Sequence, residues 1–217
     1  MKSYGQFCAV AKSLDVIGDR WNLLIVRELL LRGPSRYTDL LGGLPGIATN
    51  LLIDRLRQLE ENAVVERYEA PPPVATTLFK LTPRGEALRP VLEELVRWGA
   101  PLIVADEHAD EEAFRAIWFT LPAELYLQDL APAEPPVAIE LNAGDEAITI
   151  EAADGAVRVT STPTRNPALT LSGSPRLLIA TLVGTVPFRK AVKQGLRHRG
   201  NPSVLNRFRP TRSRAVQ

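Results

Sequence analysis

Residues 33–85 read GPSRYTDLLGGLPGIATNLLIDRLRQLEENAVVERYEAPPPVATTLFKLTPRG, and this stretch decides the fold of the first half of the chain. A short amphipathic segment at 37–41 is followed by a turn rich in glycine and proline at 42–46. The next apolar residues recur at i, i+4, i+7 spacing and therefore share one face of a helix: Leu52, Leu56 and Leu59. The sequence thus predicts two helices joined by a tight turn.

A β-hairpin is expected directly after the second of these helices. Two β-prone runs, 64–68 and 76–81, lie on either side of Pro71, Pro72 and Pro73. The order helix, turn, helix and hairpin is typical of a winged helix, which lays one helix in the major groove of DNA and a wing along the backbone. Binding of DNA is therefore the leading functional hypothesis.

Further helices are predicted on both sides of this stretch. Apolar periodicity indicates helices over 7–17 and 21–31, and Pro83 opens one long helix over 84–105. That last helix carries a wide apolar stripe, formed by Leu88, Val91, Leu92, Leu95, Trp98 and Leu102. A single winged helix does not need so much apolar surface, so this stripe and the first helix are expected to form a dimer interface.

Composition excludes several classes of protein. The single cysteine rules out an internal disulfide and a multi-cysteine metal site, and His108 and His198 lack metal-ligand spacing. The charged and polar start of the sequence predicts that there is no secretion signal, and no apolar run is near the roughly 18 residues of a membrane span. It also lacks a nucleophile with a nearby base, paired carboxylates and a phosphate-binding glycine loop. We expect a cytoplasmic protein that is not an enzyme and needs no cofactor.

The charges are segregated along the chain although the net charge is only +1. Residues 106–154 carry 13 acidic side chains and a single base, whereas residues 155–217 carry 12 bases and no acid. Two explanations remain open at this point: the blocks pair internally, which is the more ordinary arrangement, or a basic surface meets an anionic partner.

The second half of the chain is predicted to contain a sheet and covering helices. Apolar residues alternate over 137–141, 148–150, 157–159 and 169–171, which indicates four short strands with one solvated face. Helix starts are expected at three places: Ser174-Pro175, Pro187 and Asn201-Pro202. The predicted fold class is α+β, an N-terminal winged helix-turn-helix domain plus a C-terminal antiparallel sheet covered on one face by helices.

These patterns divide the chain into four parts. A DNA-binding and dimerisation domain is predicted over 1–105 and an acidic linker over 106–112. A second domain is predicted over 113–210, and the polar residues 211–217 form a frayed tail.

Polar side chains on the second helix of the helix-turn-helix are candidates for base recognition. Asn50, Asp54 and Arg57 lie opposite the leucine face, with Thr49 and Ile53 towards the N-terminal end. Asparagine reads adenine, arginine reads guanine, and the methyl groups of threonine or isoleucine contact thymine. An ordinary solvated helix face is the alternative for each residue taken alone.

The first domain resembles the HxlR branch of the MarR-type winged-helix regulators. The matching motifs are Cys8, LDVIGDRWNLLIVREL (14–29), GPSRYTDL (33–40), GIATNLLIDRLRQLE (46–60), LTPRGEAL (81–88) and Trp98-Gly99. The resemblance implies a homodimer on a pseudo-palindromic operator, with Arg36 on a phosphate and Thr49, Asn50, Ile53 and Arg55 facing the groove. Two features depart from the family: Ala48 replaces the usual serine cap, and the wing tip 73–77 has no charge.

Cys8 is a candidate sensor residue by the same resemblance. Members of this family often detect electrophiles or oxidants through a cysteine at this place. A thiol near a helix N-terminus with Lys12 one turn away is favoured for reactivity. The apolar neighbours Phe7 and Val10, and Ala9 in place of the usual proline, favour the alternative of an inert thiol.

The second domain resembles the sterol-carrier-protein-like fold. The residues that carry the resemblance are AIEL, AITIEA, DGAV (154–157) and PALTLSGSPRLLIATLVGTVPFRKAVKQGLRHRGNPSVLNRF (167–208). It implies an apolar tunnel for lipid-like ligands, lined by Ile139, Ile148, Ile150, Leu178, Leu182, Val186, Phe188 and Val192. The alternative is that these residues form a solid core.

Together these features favour a homodimeric transcriptional repressor whose partners are double-stranded DNA and an apolar or amphipathic effector. One alternative is a lipid carrier or sequestering protein that uses the winged helix as a dimer scaffold. A second alternative is a thiol-redox sensor that acts through Cys8.

Overall fold

The chain folds into two compact units, Met1–Leu95 and Val96–Gln217. The computed structural model describes residues 3–71, 73, 76–105, 112–144 and 146–210, with the backbone alone for residues 104, 105, 209 and 210. The division falls inside the last helix of the winged-helix region, whereas the sequence pattern placed it after residue 105. Residues 106–111 of the predicted linker and the whole predicted tail lie outside the described residues.

The N-terminal unit contains the predicted helices, turn and hairpin in the predicted order. Its elements are α1 (Ala9–Ile17), α2 (Asn22–Arg32), α3 (Tyr37–Gly43), α4 (Thr49–Glu61), β1 (Val65–Glu69), β2 (Thr77–Leu81), α5 (Pro83–Glu86) and the first part of α6 (Arg89–Ala105). The leucine face of α4 is buried, as are Ile25 and Leu29 of α2. These apolar side chains fix α4 against α2 and leave its other face exposed.

The hairpin is joined to the helices by a third, very short strand segment. Strands β1 and β2 pair antiparallel, with Val65 opposite Leu81 and Glu69 opposite Thr77. Ser35, between α2 and α3, exchanges two backbone hydrogen bonds of 2.9 Å with Phe79 on β2. This bridge fixes the position of the wing relative to the helix-turn-helix.

The long helix predicted over 84–105 is interrupted, which corrects the sequence-based expectation. Thr82 accepts a hydrogen bond from the Gly85 backbone N–H and caps the short α5, and a new helix begins at Arg89. Pro90 explains the break, because a proline inside a helix lacks the N–H and its ring clashes with the carbonyl four residues earlier. Pro101 lies within α6 itself.

The C-terminal unit combines a five-stranded sheet with short helices. A 3₁₀ turn, Ala116–Phe119, precedes α7 (Thr120–Tyr126) and β3 (Leu127–Asp129). The remaining elements are β4 (Val137–Ala143), β5 (Glu146–Ala153), β6 (Ala156–Thr160), β7 (Leu169–Ser172), α8 (Pro175–Leu182), α9 (Phe188–Lys193), β8 (Arg197–Gly200), a 3₁₀ turn (Pro202–Arg207) and β9 (Phe208–Pro210). All four predicted strands are present, and Ser174 and Asn201 cap the elements that follow them.

The sheet order is β6-β5-β4-β7-β8, and one of its pairings corrects the prediction of an antiparallel sheet. Strand β7 runs parallel to β4, with Leu169 beside Ile139, whereas the other pairs are antiparallel. The strand registers explain this pairing. Strand β6 ends at Thr160, which pairs with Thr149 of β5, and Thr149 pairs with Glu140 of β4. Strand β7 begins at Leu169 beside Ile139, only one residue along β4 from that point. The connection 161–168 therefore passes across β5 and β4 to reach β7. The hydroxyl of Thr149 on β5 donates a hydrogen bond of 2.9 Å to the carbonyl of Thr162 in this connection.

A buried ion pair joins β3 to the residue that directly precedes β9. Arg207 donates from Nε and Nη2 to the two carboxylate oxygens of Asp129, at 2.7 and 3.0 Å. Asp129 also accepts backbone hydrogen bonds from Ala131 and Gly155. The hydrogen bonds from Arg207 outweigh the effect of burial and lower the pKa of Asp129 to about 2.

No helix in the described part of the chain is both long enough and apolar enough to cross a bilayer.

Candidate nucleic-acid interface

Helix α4 is held by contacts on its buried face and at its first residue. Leu52, Leu56 and Leu59 are at most 2% exposed. The hydroxyl of Tyr37 on α3 donates to the Thr49 carbonyl at 2.9 Å, and this bond ties the start of α4 to the preceding helix. The helix that sequence analysis assigned to the major groove is therefore rigidly placed.

Four of the predicted contact residues share the exposed side of α4. Thr49, Asn50, Ile53 and Arg57 are all exposed, and Ile53 is 43% exposed despite its apolar side chain. The Arg57 guanidinium lies 3.9 Å from the carboxylate of Asp54. Such a solvated i,i+3 pair is weak, so Arg57 can exchange it for another partner at little cost.

Arg55 does not belong to this exposed set, which corrects its assignment to the groove. Its guanidinium pairs with Asp19 and also donates to Gln58. Its side chain is only 19% exposed. In a helix of 3.6 residues per turn, position 55 lies about 200° from Ile53, next to the leucine face. Arg55 therefore fixes α4 to the segment that joins α1 and α2.

Arg36 lies at the start of α3, apart from the α4 residues. Its backbone N–H donates to the Asp39 carboxylate at 3.1 Å, and its side chain is exposed. Within the described residues, the Arg36 guanidinium has no ion-pair partner. The residue is thus available for the predicted phosphate contact.

The N-terminus of α4 has no side-chain cap. Ala48 occupies the cap position with extended backbone angles, φ −73° and ψ 141°, but has no oxygen to accept a hydrogen bond. The first N–H groups of a helix have no partner within the helix, and they carry its positive dipole end. This end of α4 is consequently a favourable place for a phosphate oxygen.

Both cationic side chains of the wing strands β1 and β2 already pair with carboxylates. Lys80 on β2 pairs with Glu66 at 2.9 Å and lies 5.2 Å from the centre of the Tyr68 ring. The hydrogen bond to Glu66 raises the pKa of Lys80. Arg67 pairs with Glu60 at 3.3 Å. Of the predicted uncharged wing tip, residues 74 and 75 lie outside the described part.

Two further exposed features lie outside α4. Apolar side chains protrude from the first and last helices of the winged-helix region: Phe7, Val10, Leu14, Val91, Leu95, Trp98 and Leu102. Two members of the predicted stripe do not protrude, since Leu92 is buried and Leu88 is half-buried. Cys8 is exposed just before α1, and the ammonium of nearby Lys12 lies 3.9 Å from Asp15.

The predicted ligand-lining residues form a filled core. Ile139, Ile148, Ile150, Leu178 and Leu182 are at most 3% exposed, and Val186 and Phe188 pack against them. The cleft beside them has a volume of about 10 Å³, which is the space of one water molecule. Val192 is 39% exposed and lies outside this core, because its neighbour Ala191 holds the buried position of α9.

Sequence reasoning missed two residues that position the interface, Tyr37 and Asp19. Tyr37 fixes the start of α4, and Asp19 anchors Arg55. The position of Arg55 beside the leucine stripe was the available signal that it would be turned inwards. In the described part of the chain, three potential metal-ligating side chains nowhere come together.

The N-terminal region matches known proteins. The model of the HxlR-like helix-turn-helix family matches residues 16–107. The HTH-type transcriptional regulator YodB of Bacillus subtilis is 35% identical over 86 residues, which is 40% of this chain and 76% of YodB. The uncharacterised HTH-type transcriptional regulator YkvN of the same organism is 35% identical over 107 residues, 48% of this chain and 87% of YkvN.

A solved structure of quinone-bound YodB from B. subtilis is 32% identical to this chain, with a TM-score of 0.37, over 42% of this chain and 96% of that one. Because the chain covers 76% of YodB at 35% identity, and matches the family model across the helix-turn-helix and hairpin, it belongs to the HxlR-like helix-turn-helix family of transcriptional regulators.

Proposed function

We propose that this protein is a sequence-specific transcriptional repressor that reads duplex DNA with α4. One observation carries the proposal: Thr49, Asn50, Ile53 and Arg57 share the exposed side of a helix whose other side is locked into the core. Between them they offer an amide, a guanidinium, a hydroxyl and methyl groups, the set that distinguishes base pairs in the major groove. Membership of the family supports the same role.

The mechanism assigns different tasks to the two kinds of contact. Arg36 and the uncapped N-terminus of α4 would hold phosphates and so fix the register of the helix on the duplex. Asn50 and Arg57 would read base edges, and Ile53 would contact a thymine methyl. The wing would contribute little, because Lys80 already pairs with Glu66 and Arg67 already pairs with Glu60 of α4.

Selection from random duplex followed by binding titrations tests this proposal. Wild type should enrich one sequence, and Asn50→Ala or Arg57→Ala should relax the preference at particular positions. Arg36→Ala should weaken binding to every sequence and lower the slope of log K against log salt by about one. Arg158→Ala, an exposed cation of the C-terminal unit, is the control. Failure of wild type to enrich any sequence would refute the proposal.

We also propose that the protein acts as a homodimer in the cytoplasm. The exposed stripes on α1 and α6 support this, since apolar patches of that kind are unusual on a monomer. Two α4 helices would then lie roughly 34 Å apart on successive major grooves. Leu95→Glu and Trp98→Glu should yield monomers by light scattering and weaken operator binding, whereas a monomeric wild type would exclude the dimer.

We also propose that the C-terminal unit binds an apolar effector, and that this binding requires its core to open. The cleft is lined only by apolar side chains, among them Leu141, Ile148 and Leu178, but holds no more than a water molecule. An acyl chain would therefore displace α8 from the sheet. Native mass spectrometry and uptake of a fluorescent fatty acid, with Ala180→Trp as the blocked variant, test this idea. A lipid carrier would show the same uptake without sequence-specific DNA binding.

Thiol sensing is the second candidate function, and the exposure of Cys8 favours it. The relative YodB has been solved with quinone bound. If Cys8 is a sensor, diamide should release wild type from DNA but leave the Cys8→Ser variant bound. Equal responses of the two proteins would exclude the thiol mechanism.

A further inference from the structure

A buried carboxylate projects from α2 in the N-terminal unit. Glu28 is 0% exposed, although glutamate is among the residues that are least often fully buried. Its Oε1 accepts hydrogen bonds from Arg27, at 2.9 Å from Nη2 and 3.2 Å from Nε, and its Oε2 accepts one from Arg32 Nε at 3.0 Å. All three residues belong to α2, so the helix itself holds the carboxylate in a fixed orientation.

Helix α3 makes room for this carboxylate at Gly43. A Cβ atom at this position would overlap Oε2 of Glu28 and would lie 3.0 Å from its Cδ. Gly43 is buried and its φ is not positive, so the space requires glycine here rather than the backbone conformation. A glutamate in solvent could swing aside, but withdrawing Glu28 would break its buried pairs with two guanidinium groups. The carboxylate therefore limits how closely the end of α3 can approach α2.

The position of Gly43 is passed to α4 through a short turn. Gly43 is the last residue of α3, and only five residues separate it from Thr49, the first residue of α4. Within this turn, Leu44 and Ile47 are at most 9% exposed, and the Ile47 N–H donates to the Leu44 carbonyl at 3.1 Å. The hydrogen bond from the Tyr37 hydroxyl to the Thr49 carbonyl ties the two helices together. A displacement of Gly43 would therefore move the first residues of α4 with it.

Stability alone does not account for a charged cluster at this place. A buried ion pair contributes little more than well-packed apolar residues of similar volume, because the cost of desolvation offsets the attraction. The neighbouring core positions of α2 are indeed apolar, since Ile25, Val26 and Leu29 are at most 1% exposed. What the ion pairs add is direction, because hydrogen bonds to both oxygens fix the carboxylate more narrowly than apolar packing would.

We propose that Glu28 and Gly43 are a positioning pair for DNA recognition: the carboxylate on α2 fixes the end of α3 and, through the turn, the placement of Asn50 and Arg57 on α4. The inference rests on the proposed reading of duplex DNA by α4. Sequence-specific binding needs side chains aligned with base edges, whereas non-specific binding depends on phosphates and carries no sequence information. A displaced α4 should therefore lose specific affinity and keep most of its non-specific affinity.

Two adjacent glycines of α3 provide a matched pair of full-length variants. Gly43→Ala places a methyl group against Glu28, whereas Gly42→Ala, the control, places one where no atom lies within 4 Å. Affinities for the selected duplex and for a random-sequence duplex are measured by anisotropy. Gly43→Ala should lower the ratio of specific to non-specific affinity about tenfold, the worth of one base contact, and Gly42→Ala should leave it unchanged. Partial unfolding would lower both affinities equally, so the ratio separates positioning from stability.

A compensating change at position 28 sharpens the test. Glu28→Asp shortens the side chain by one methylene group and should by itself lower the ratio by a smaller factor, because α3 is no longer held at the same distance. Combined with Gly43→Ala it should restore much of the ratio, since the shorter side chain leaves room for the methyl group. Circular dichroism verifies folding, and Glu28→Asp alone decides if Gly43→Ala does not fold. Unchanged ratios in the folded single variants would overturn the inference.

A measurement without DNA separates this inference from the proposed function. In amide NMR spectra of the free protein, Gly43→Ala should shift resonances of residues 49–53 in α4, and Glu28→Asp in the same chain should reverse the shifts. Changes confined to α3 would overturn the positioning role. If wild type enriches no sequence, the proposed function fails and the spectra still decide the positioning. If wild type enriches a sequence but the ratios do not change, the inference alone fails.

Discussion

The predicted site residues are exposed in one unit of this chain and mostly buried in the other. In the N-terminal unit, Thr49, Asn50, Ile53 and Arg57 are exposed on a helix that is fixed from behind. In the C-terminal unit, the predicted ligand-lining residues are buried against one another, with Val192 as the exposed exception. The same kind of periodic pattern thus describes residues on an exposed helix face in one unit and buried residues in the other.

This difference shows which structural property a periodic sequence pattern cannot predict. A helical pattern identifies which face is buried, and the opposite face is then exposed by necessity, so α4 could be interpreted directly. Alternation in strands identifies a core face but not whether that core encloses a space, because close packing and a tunnel need the same residue types. Packing density distinguishes the two arrangements, and the cleft beside these residues has a volume of about 10 Å³.

The largest expected effect concerns the buried ion pair between Asp129 and Arg207 in the C-terminal unit. Asp129→Ala should lower the free energy of unfolding by about 3–5 kcal/mol, because it leaves the buried guanidinium of Arg207 without its carboxylate. Urea unfolding of the full chain, followed by circular dichroism, measures the loss. Asp129→Leu/Arg207→Met should recover much of it. A loss under 1 kcal/mol for the single variant would show that the pair is not essential to this unit.

A smaller expected effect on stability distinguishes a filled core from an open cavity. Leu178→Ala should destabilise the protein by about 2–5 kcal/mol, since it creates a void in a filled interior. Val192→Ala, at an exposed position of the same predicted lining, should change stability by no more than about 0.5 kcal/mol. The same unfolding assay compares the two. Similar costs at both positions would contradict the filled core.

Acid should weaken the C-terminal unit in a defined window. The pKa of Asp129 is lowered to about 2 in the folded chain from an ordinary 3.8, so the folded state binds this proton less readily than the unfolded chain. The stabilisation is fully present above about pH 4 and is lost as the pH falls towards 2. Unfolding midpoints measured from pH 5 to pH 2 should fall less steeply in Asp129→Asn than in wild type. Parallel profiles would exclude this carboxylate as a cause.

Most elements could be predicted because their signals are local. The leucine spacing of α4, the Ser174-Pro175 cap and the alternation in β4 and β5 each depend on neighbours along the chain. Strand β8 was missed because RHRG has no apolar residue and all four positions are exposed. The parallel pairing of β7 was missed because it depends on the register of β6, which no local pattern specifies.

The exposure of the candidate site residues could be predicted in part for the same reason. Ile53 and Arg57 follow from helix geometry, whereas the role of Arg55 depends on Asp19, 36 positions away in the sequence. The family resemblance predicted that Arg55 faces the groove, but its contacts with Asp19 and Gln58 hold the side chain beside the leucine face of α4. A residue's partner in the fold, rather than its position in a motif, decided its orientation.

The smallest effect tests the uncapped N-terminus of α4. Ala48 already has the extended backbone of a cap residue but no acceptor, so Ala48→Thr should stabilise the N-terminal unit by about 1 kcal/mol. The isosteric Ala48→Val, which lacks the hydroxyl, should give no such gain. Hydrogen exchange at the first amides of α4 and urea unfolding measure both variants. If Ala48→Thr and Ala48→Val were equally stable, the N–H groups of α4 would already have partners, and the N-terminus would be a poorer place for a phosphate than its exposed, uncapped geometry indicates.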